Sequence, residues 1–355
     1  MARPLKVAVQ MDSMASINPG ADSTFALMLE AEARGHLLWH YEVRDLAFTT
    51  IGESVQLAAR ARRVAVARPP AELYRFGPGE TLDLAGMDVV LMRQDPPFDM
   101  AYITATHLLE QIHPATLVVN DPRAVRNAPE KILVTHFPDL MPPTLITWDV
   151  AAMRAFRAEQ REIVIKPLFG NGGSGVFHIR PDDENFNAVL EMHFARTREP
   201  LMLQRYEPAV RQGDKRIVLV EGVAQGAINR VPAAGEARAN MHVGAQPVAT
   251  TLTARDREIC DRIGPTLREE GLIFVGIDVI GEWLTEINVT SPTGIQEIAR
   301  LGGPRLETAI WDSIESRLAR RGEPARSAPI LHAPARGVRR RAPAGSIPLA
   351  VPDSP

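Results

Sequence analysis

The stretch "LIFVGIDVIGEWLTEINVTSPTG" (residues 272–294) carries the strongest signal of fold and chemistry in this chain. Its first half is a run of apolar residues. Its second half alternates apolar Ile287 and Val289 with polar Glu286 and Asn288. Apolar runs bounded by turn residues and strict alternation are both typical of β-strands. The stretch therefore predicts a β-hairpin that leads into a Thr-Ser-Pro-Thr-Gly turn.

The register of this hairpin decides whether its acidic side chains can act together. A loop over residues 281–283 places Asp278 directly opposite Glu286, whereas a loop over 281–282 places them on opposite faces. Opposed carboxylates repel unless a cation lies between them, and the oxygens of Asp278, Glu286 and Asn288 suit Mg²⁺. The sequence therefore predicts the longer loop and a magnesium site. The alternative is a solvated polar face.

A glycine-rich segment upstream indicates what such a cation would accompany. "IVIKPLFGNGGSGVF" (163–177) predicts a strand ending near Lys166, a loop and a second strand. Backbone N–H groups approach an anion closely where no Cβ intervenes, and the lysine adds positive charge. Neither a P-loop nor a Rossmann fingerprint fits the pattern. Together with the metal site it predicts a nucleoside triphosphate site, and alone it is equally compatible with a flexible hairpin.

Further polar candidates lie at strand ends and in loops: Arg93, Lys131, Asp214, Arg216, Arg230, Arg238 and Asn240. "NRVPAAGEARANM" (229–241) places the last three of these in a loop of small residues, which is what a mobile lid over an anionic substrate requires. Arg93 ends an apolar strand, where α/β sheets bind ligands. The alternative for Arg93 is a simple turn cluster, and for the loop arginines it is solvent exposure.

The order of predicted elements indicates two kinds of architecture. Strands at 5–11, 36–43, 87–93 and 115–120, with helices at 22–35 and 100–112, predict an α/β domain with a parallel sheet. Beyond a helix predicted after Pro122, hairpin-like strands and a helix at 253–271 predict an α+β second half. The expected units are residues 1–127, 128–206, 207–320 and a tail at 321–355.

Composition limits the classes of function. The chain has 355 residues, of which 45% are hydrophobic, and a net charge of -3, so no general affinity for nucleic acid is expected. The single cysteine, Cys260, excludes an internal disulfide and fits a cytoplasmic protein. We expect no membrane span. The proline- and arginine-rich tail is predicted to be disordered, either as a neutral extension or as an arm for an acidic partner.

These motifs together resemble the bacterial glutathione synthetases of the ATP-grasp superfamily. The resemblance is collinear from about residue 6 to residue 320, and "LMRQDPPFD" (91–99) and "TEINVTSPTGI" (285–295) are its most specific parts. It implies an α/β domain followed by an ATP-grasp fold of two α+β lobes. It implies ligation of γ-glutamylcysteine to glycine through an acyl phosphate, with two Mg²⁺ or Mn²⁺ ions. A homotetramer or homodimer, with no nucleic-acid or membrane partner, is also implied.

The resemblance implies roles for individual residues. ATP would be bound by Lys131, Lys166, Gly170, Asn171, Gly172, Gly173, Ser174, Gly175, Gln204, Arg205, Tyr206, Glu207, Asp214 and Arg216. The metal ligands would be Asp278, Glu286 and Asn288. The catalytic arginines would be Arg216, Arg230 and Arg238. The other substrates would contact Arg93, Arg230, Arg238, Asn240, Ser291, Pro292 and Thr293. One departure is "HVGA" (242–245), which has one glycine where two are expected.

Two alternative functions are compatible with the same motifs. One is a different ATP-grasp ligase, which joins a carboxylate and an amine of other substrates. The other is an ATP-binding regulatory protein without catalysis, which would be expected to lack a metal ligand or the phosphate-binding arginine. All of these side chains are present in the sequence.

Overall fold

The computed structural model describes residues 3–321, apart from 53, 237, 242 and 243. The tail predicted to be disordered lies outside the described residues except for its first member. His242 and Val243 of the lid segment also lie outside them. Within the described ranges, no helix is both long enough and apolar enough to span a membrane.

The N-terminal part is built on a seven-stranded sheet. Its elements are β1 (Lys6–Gln10), α1 (Ser23–Ala33), β2 (Leu37–Tyr41), β3 (Leu46–Ile51), β4 (Ser54–Val66), β5 (Tyr74–Asp83), β6 (Val89–Met92), α2 (Met100–Glu110) and β7 (Leu117–Val119). The order is β3-β4-β2-β1-β6-β7, with β5 also paired to β4. The centre, β2-β1-β6-β7, is parallel, as predicted. The antiparallel extension by β3, β4 and β5 was not predicted.

Helix α1 begins and ends where the sequence predicts. The Asp22 carboxylate accepts a hydrogen bond from the Phe25 backbone N–H at 2.6 Å, which satisfies one of the free donors of the first turn. Gly35 follows the last turn with a φ of +79°, a conformation that favours glycine. This helix packs between the sheet and the C-terminal part of the chain.

The helix predicted after Pro122 is divided into two short helices, α3 (Pro122–Asn127) and α4 (Glu130–Leu133). The break falls at Ala128, whose φ of -121° and ψ of 57° lie outside the helical region. The cause is Pro129, because a proline disfavours the helical conformation of the residue before it. The break turns α4 toward the centre of the molecule and carries Lys131 with it.

A separate four-stranded sheet forms the central lobe. Its elements are β8 (Thr144–Thr147), α5 (Val150–Gln160), β9 (Ile163–Pro167), β10 (Phe177–Ile179), α6 (Phe186–Phe194) and β11 (Leu201–Arg205). The sheet is antiparallel in the order β10-β9-β11-β8. Both helices, which were not predicted, cover it and enclose a core of its own around Met153, Ile165 and Leu203.

The C-terminal lobe is a five-stranded antiparallel sheet in the order β14-β13-β12-β15-β16. Its elements are β12 (Asp214–Val220), β13 (Val223–Val231), β14 (Gln246–Ala249), α7 (Ala254–Glu269), β15 (Phe274–Ile280), β16 (Trp283–Asn288), α8 (Ile295–Arg300) and α9 (Leu306–Arg321). Its core is continuous with the N-terminal core. Trp311, for example, is fully buried and donates to the Leu27 carbonyl at 2.8 Å.

The β15–β16 hairpin confirms the predicted pairing but not the predicted loop. Ile280 pairs with Trp283, so the loop contains Gly281 and Glu282 only, and the prediction of a three-residue loop was wrong. Asp278 nevertheless pairs directly with Glu286, because the register shifts at Thr285. This β-bulge adds one residue to β16 and returns Glu286 to the face of Asp278. The Thr285 hydroxyl donates to the Asp278 carbonyl at 3.1 Å.

Candidate active site

A cavity of about 480 Å³ lies between the central sheet and the C-terminal sheet. It is lined by nearly all residues that were predicted to bind ATP: Lys131, Lys166, Gly170, Asn171, Gly172, Gly173, Ser174, Gly175, Gln204, Arg205, Tyr206, Glu207 and Asp214. Arg238, Asn240, Asp278 and Glu286 also line it. Arg216, Arg230 and Asn288 are buried and reach these lining residues through hydrogen bonds. The structure therefore gathers most of the predicted residues around one space.

The glycine loop has a conformation and a close contact that require glycine. Gly172, Gly173 and Gly175 have φ values of +61°, +78° and +69°. A Cβ on Gly173 would lie 2.6 Å from the side-chain oxygen of Asn240. Arg238 donates a long hydrogen bond of 3.4 Å to the Gly173 carbonyl. The loop and the segment that was predicted to be a lid therefore meet over the cavity.

Two buried lysines line the cavity from different elements, Lys131 on α4 and Lys166 on β9. The Lys166 ammonium donates to the Gln204 side-chain oxygen at 2.9 Å, and burial lowers the pKa of Lys166. The Lys131 ammonium donates to the Gly170 carbonyl at 2.7 Å and lies 3.6 Å from a Glu286 oxygen. Buried positive charges with few carboxylate partners favour an anionic ligand. They lie where the phosphates of a nucleotide would approach the glycine loop.

A mostly apolar slot forms another part of the cavity wall. The Tyr206 ring stacks on the His178 ring, with centroids 3.9 Å apart and planes 18° apart. Val164 and Ile280 pack against the cluster that contains Tyr206. Such a slot suits a planar base. His178 was not identified from the sequence, since a lone histidine in a strand carries no distinguishing signal.

Beneath the cavity lies a group of buried, mutually paired charges. Asp278 accepts from Arg216 at 2.5 and 2.9 Å, and the Arg230 guanidinium lies 3.0 Å from it. The same Arg230 nitrogen donates to Asp214 at 2.5 Å. Burial opposes ionisation, but the two arginines hold the pKa of Asp278 well below its usual range. The two arginines thus offset part of the repulsion between the Asp278 and Glu286 carboxylates, which a metal ion alone was expected to offset.

The position of Arg230 corrects one prediction. It was expected in the lid loop with Arg238 and Asn240, but it belongs to strand β13 and pairs across the ladder with Asp214. The alternation of "AINRV" places Arg230 on the same face as Ile228, which is buried. Of the two arginines assigned to the lid, only Arg238 is therefore in that segment.

The side chains predicted to hold a metal fit that role in their chemistry. Glu286 lies opposite Asp278, and in the described part of the chain the Lys131 ammonium, 3.6 Å away, is the one ion-pair partner found for it. Asn288 uses its amide nitrogen on Asp278, at 3.4 Å, which leaves its oxygen as a donor atom. No cluster of three His, Cys, Asp or Glu is found in the described part of the chain. Two carboxylates and an amide oxygen are hard donors that suit Mg²⁺ or Mn²⁺ once phosphate oxygens join them.

Arg93 does not line the cavity. It is buried, donates to the Thr24 hydroxyl at 3.1 Å and to the Pro292 carbonyl at 2.9 Å, and covers the Phe274 ring. Ser291 in turn donates to the Arg93 carbonyl at 3.3 Å. These bonds attach the turn of residues 290–294 to the N-terminal domain. Direct contact of Arg93 or of Ser291, Pro292 and Thr293 with a substrate stays a prediction.

Glu130 is a residue of the site that the sequence analysis missed. It precedes Lys131 on α4, and burial together with the charge of Glu286 raises the pKa of Glu130 to about 7. Within the described residues, no hydrogen bond or ion pair to its carboxylate is found. The only signal in the sequence is its position beside Lys131 in "NAPEK" (127–131).

Comparisons with known proteins agree with this arrangement. The family described as "Prokaryotic glutathione synthetase, N-terminal domain" matches residues 5–126, and "Prokaryotic glutathione synthetase, ATP-grasp domain" matches residues 130–303. A protein of Agrobacterium fabrum named "Glutathione synthetase" is 55% identical over 317 residues, which are 89% of this chain and 98% of that protein. One of the same name from Pseudomonas syringae is 42% identical, over 90% and 99% of the two chains.

A solved structure supports the fold independently. The crystal structure of the D-cycloserine synthetase DcsG covers 88% of this chain and 99% of its own, with a TM-score of 0.63. Its sequence is only 15% identical, so the likeness concerns the fold alone. The predicted architecture, an α/β domain followed by two ATP-grasp lobes, is confirmed. The chain belongs to the prokaryotic glutathione synthetase family.

Proposed function

We propose that this chain ligates γ-glutamylcysteine and glycine at the expense of ATP, giving glutathione, ADP and phosphate. The observation that carries the proposal is the convergence of a glycine loop, two buried lysines and the Asp278–Glu286 pair on one cavity. The relatives named for this activity match nearly the whole described chain, and they supply the identity of the substrates.

The reaction joins two groups that do not combine unaided, because a carboxylate is a poor electrophile. An oxygen of the cysteinyl carboxylate attacks the γ-phosphorus, and the bond to the ADP oxygen breaks to give an acyl phosphate. The glycine nitrogen then attacks the carbonyl carbon, the carbon–oxygen bond to phosphate breaks, and the amine releases its proton. Catalysis of this kind rests on positioning and on neutralising charge.

The cavity contains groups for positioning the substrates and for neutralising their charge. Lys131 and Lys166 would bind phosphate oxygens beneath the glycine loop, and Tyr206 would stack near the base. Arg216 would shift part of its charge from Asp278 to the transferring phosphoryl group, and Arg230 would hold Asp278 in place. Arg238 and Asn240 would close over the reacting groups. Asp278, Glu286 and Asn288 would hold two Mg²⁺ or Mn²⁺ ions, which neutralise phosphate charge when bound.

An assay of ADP release tests the proposal. The protein is incubated with Mg²⁺, ATP, a series of γ-glutamyl dipeptides and glycine, and ADP and phosphate are measured with the peptide product. We expect release that requires γ-glutamylcysteine and glycine together. Turnover only with other acceptors or dipeptides would indicate a different ligase. Binding of ATP without any ADP release would indicate a regulatory protein, and either result contradicts the proposal.

Assembly and compartment belong to the same proposal. We propose a homotetramer or homodimer acting in the cytoplasm on small-molecule substrates, as the resemblance to the bacterial glutathione synthetases implies. Light scattering of the purified full-length chain measures the assembly directly, and a monomer at micromolar concentration would contradict it.

A further inference from the structure

A second, smaller void lies beside the nucleotide cavity. Its volume of about 10 Å³ has room for one water-sized group. Its walls are formed by Phe98, Glu130, Phe169, Asn171 and Thr290, together with two prolines and a leucine. These residues come from the N-terminal domain, α4, the glycine loop and the turn after β16, so the void forms only where all four segments meet.

The chemistry of the walls favours a small cation. Among the lining residues Glu130 carries the only ionisable side chain, and within the described chain no donor is bonded to its carboxylate. The Phe98 and Phe169 rings stand 6.3 Å apart and nearly parallel, at 22°. A carboxylate that is partly withdrawn from water is stabilised by a charged partner, and ring faces attract cations. An anion would meet repulsion from Glu130 and from both rings.

The location of the void connects it with the second half of the proposed reaction. Asn171 lines both this void and the nucleotide cavity. Thr290 lies two residues beyond Asn288, and Lys131, next to Glu130, contacts Gly170 and Glu286. The void therefore borders the phosphate end of the cavity. An amine that attacks an acyl phosphate must approach that end.

We propose that the Glu130 carboxylate binds the ammonium group of the incoming glycine in this void and so orients the acceptor for attack. The inference rests on the proposed function, since it assigns a contact to one of that reaction's substrates. The ammonium group is the size of the water that the void accommodates. Phe98 and Phe169 would contribute the aromatic faces.

The test compares two acceptors in the Glu130→Gln variant of the full-length protein. Glycine carries an ammonium group at neutral pH, whereas hydroxylamine is small, uncharged and able to capture an acyl phosphate as a hydroxamate. We expect the KM for glycine to rise roughly 10- to 100-fold, the range for a lost hydrogen bond between charged groups. The KM for ATP and the rate of hydroxamate formation should stay near wild-type values. Glu269→Gln, at an exposed glutamate on α7, is the matched control.

Several outcomes would overturn the inference. Equal losses with glycine and hydroxylamine would show that Glu130 serves the phosphoryl transfer or the metal, and an unchanged KM for glycine would show that it binds no ammonium. If the glutamine variant does not fold, Glu130→Asp provides the same comparison. It keeps the negative charge on a shorter side chain, farther from the ammonium group. It should raise the KM for glycine while sparing hydroxamate formation. A wild-type protein that uses hydroxylamine but not glycine would contradict the proposed function instead.

Discussion

The two sheets that enclose the cavity differ in how they are supported and in what they contribute. The central sheet has a core of its own and offers Lys166, Gln204 and the backbone of the glycine loop. The C-terminal sheet shares its core with the N-terminal domain and carries Asp214, Arg216, Arg230 and Asp278 as a buried, paired group. The charges thus lie on the lobe that is continuous with the larger part of the molecule.

Physical chemistry explains this division. Buried charges are tolerated only when partners hold them in good geometry, and that requires neighbours which do not shift. A lobe with a separate core can move relative to the rest with less loss of buried apolar contact. We therefore expect the C-terminal sheet to hold its charged groups in place and the central lobe to be the side of the cavity that can move.

The largest effect is expected for Asp278→Ala. The change leaves Arg216 and Arg230 buried without their shared carboxylate, which typically costs about 3–5 kcal/mol of unfolding free energy. If Asp278 holds the metal as proposed, the change should also remove measurable turnover. Urea unfolding and ADP release measure the two effects. An unchanged free energy of unfolding would show that the pairs of Asp278 with Arg216 and Arg230 are not held rigidly in the C-terminal sheet.

Glu286→Ala should remove metal-dependent turnover with little effect on the fold. Its carboxylate lies 3.6 Å from the Lys131 ammonium, and no hydrogen bond to it is found in the described part of the chain, so the expected loss of stability is smaller than for Asp278→Ala. Titration of Mg²⁺ against turnover, with circular dichroism as the control for folding, provides the measurement. Wild-type kinetics in this variant would refute its role as a metal ligand.

Matched core substitutions test the support of the two sheets. Leu203→Ala lies in the central core and Ile277→Ala in the shared core, and both residues are fully buried. Each should cost about 2–5 kcal/mol locally. Hydrogen exchange should accelerate in β8 to β11 alone for the first variant, and in both the N-terminal and C-terminal sheets for the second. Exchange that spreads through the whole chain in both variants would remove the distinction.

The smallest effect concerns a contact within the larger body. Glu221 accepts from both Nε and Nη2 of Arg317 at 2.6 Å, and although burial opposes this, those bonds lower the pKa of Glu221. The stabilisation is complete above the ordinary glutamate pKa of about 4.3 and is lost as pH falls through the lower folded value. Glu221→Gln should therefore cost about 1–2 kcal/mol at pH 7 and progressively less below roughly pH 4. If the difference in unfolding free energy between the wild type and Glu221→Gln persists in acid, this ion pair is not its cause.

Much of the fold and of the site follows from sequence patterns that are local. The parallel strands, the capped helix α1, the glycine loop and the opposed Asp278 and Glu286 all depend on neighbouring residues. Strand β4 was not predicted, because three of its buried positions are alanines, Ala58, Ala59 and Ala61, which offer little apolar surface and weaken the pattern. Glu130 was not predicted, because its surroundings come from three other segments that are distant in the sequence, and no local pattern indicates that they meet.

The bulge at Thr285 decides which side chains of β16 face the cavity. Side chains alternate along a regular strand, so the face of Glu286 and Asn288 depends on which residue of β16 pairs with Asp278. With the two-residue loop and no bulge, Thr285 would pair with Asp278, and Glu286 and Asn288 would lie on the opposite face. The bulge makes Glu286 the partner instead. Deleting Thr285 should therefore leave Glu286 opposite Asp278 in a regular hairpin and remove the hydrogen bond from the Thr285 hydroxyl to the Asp278 carbonyl.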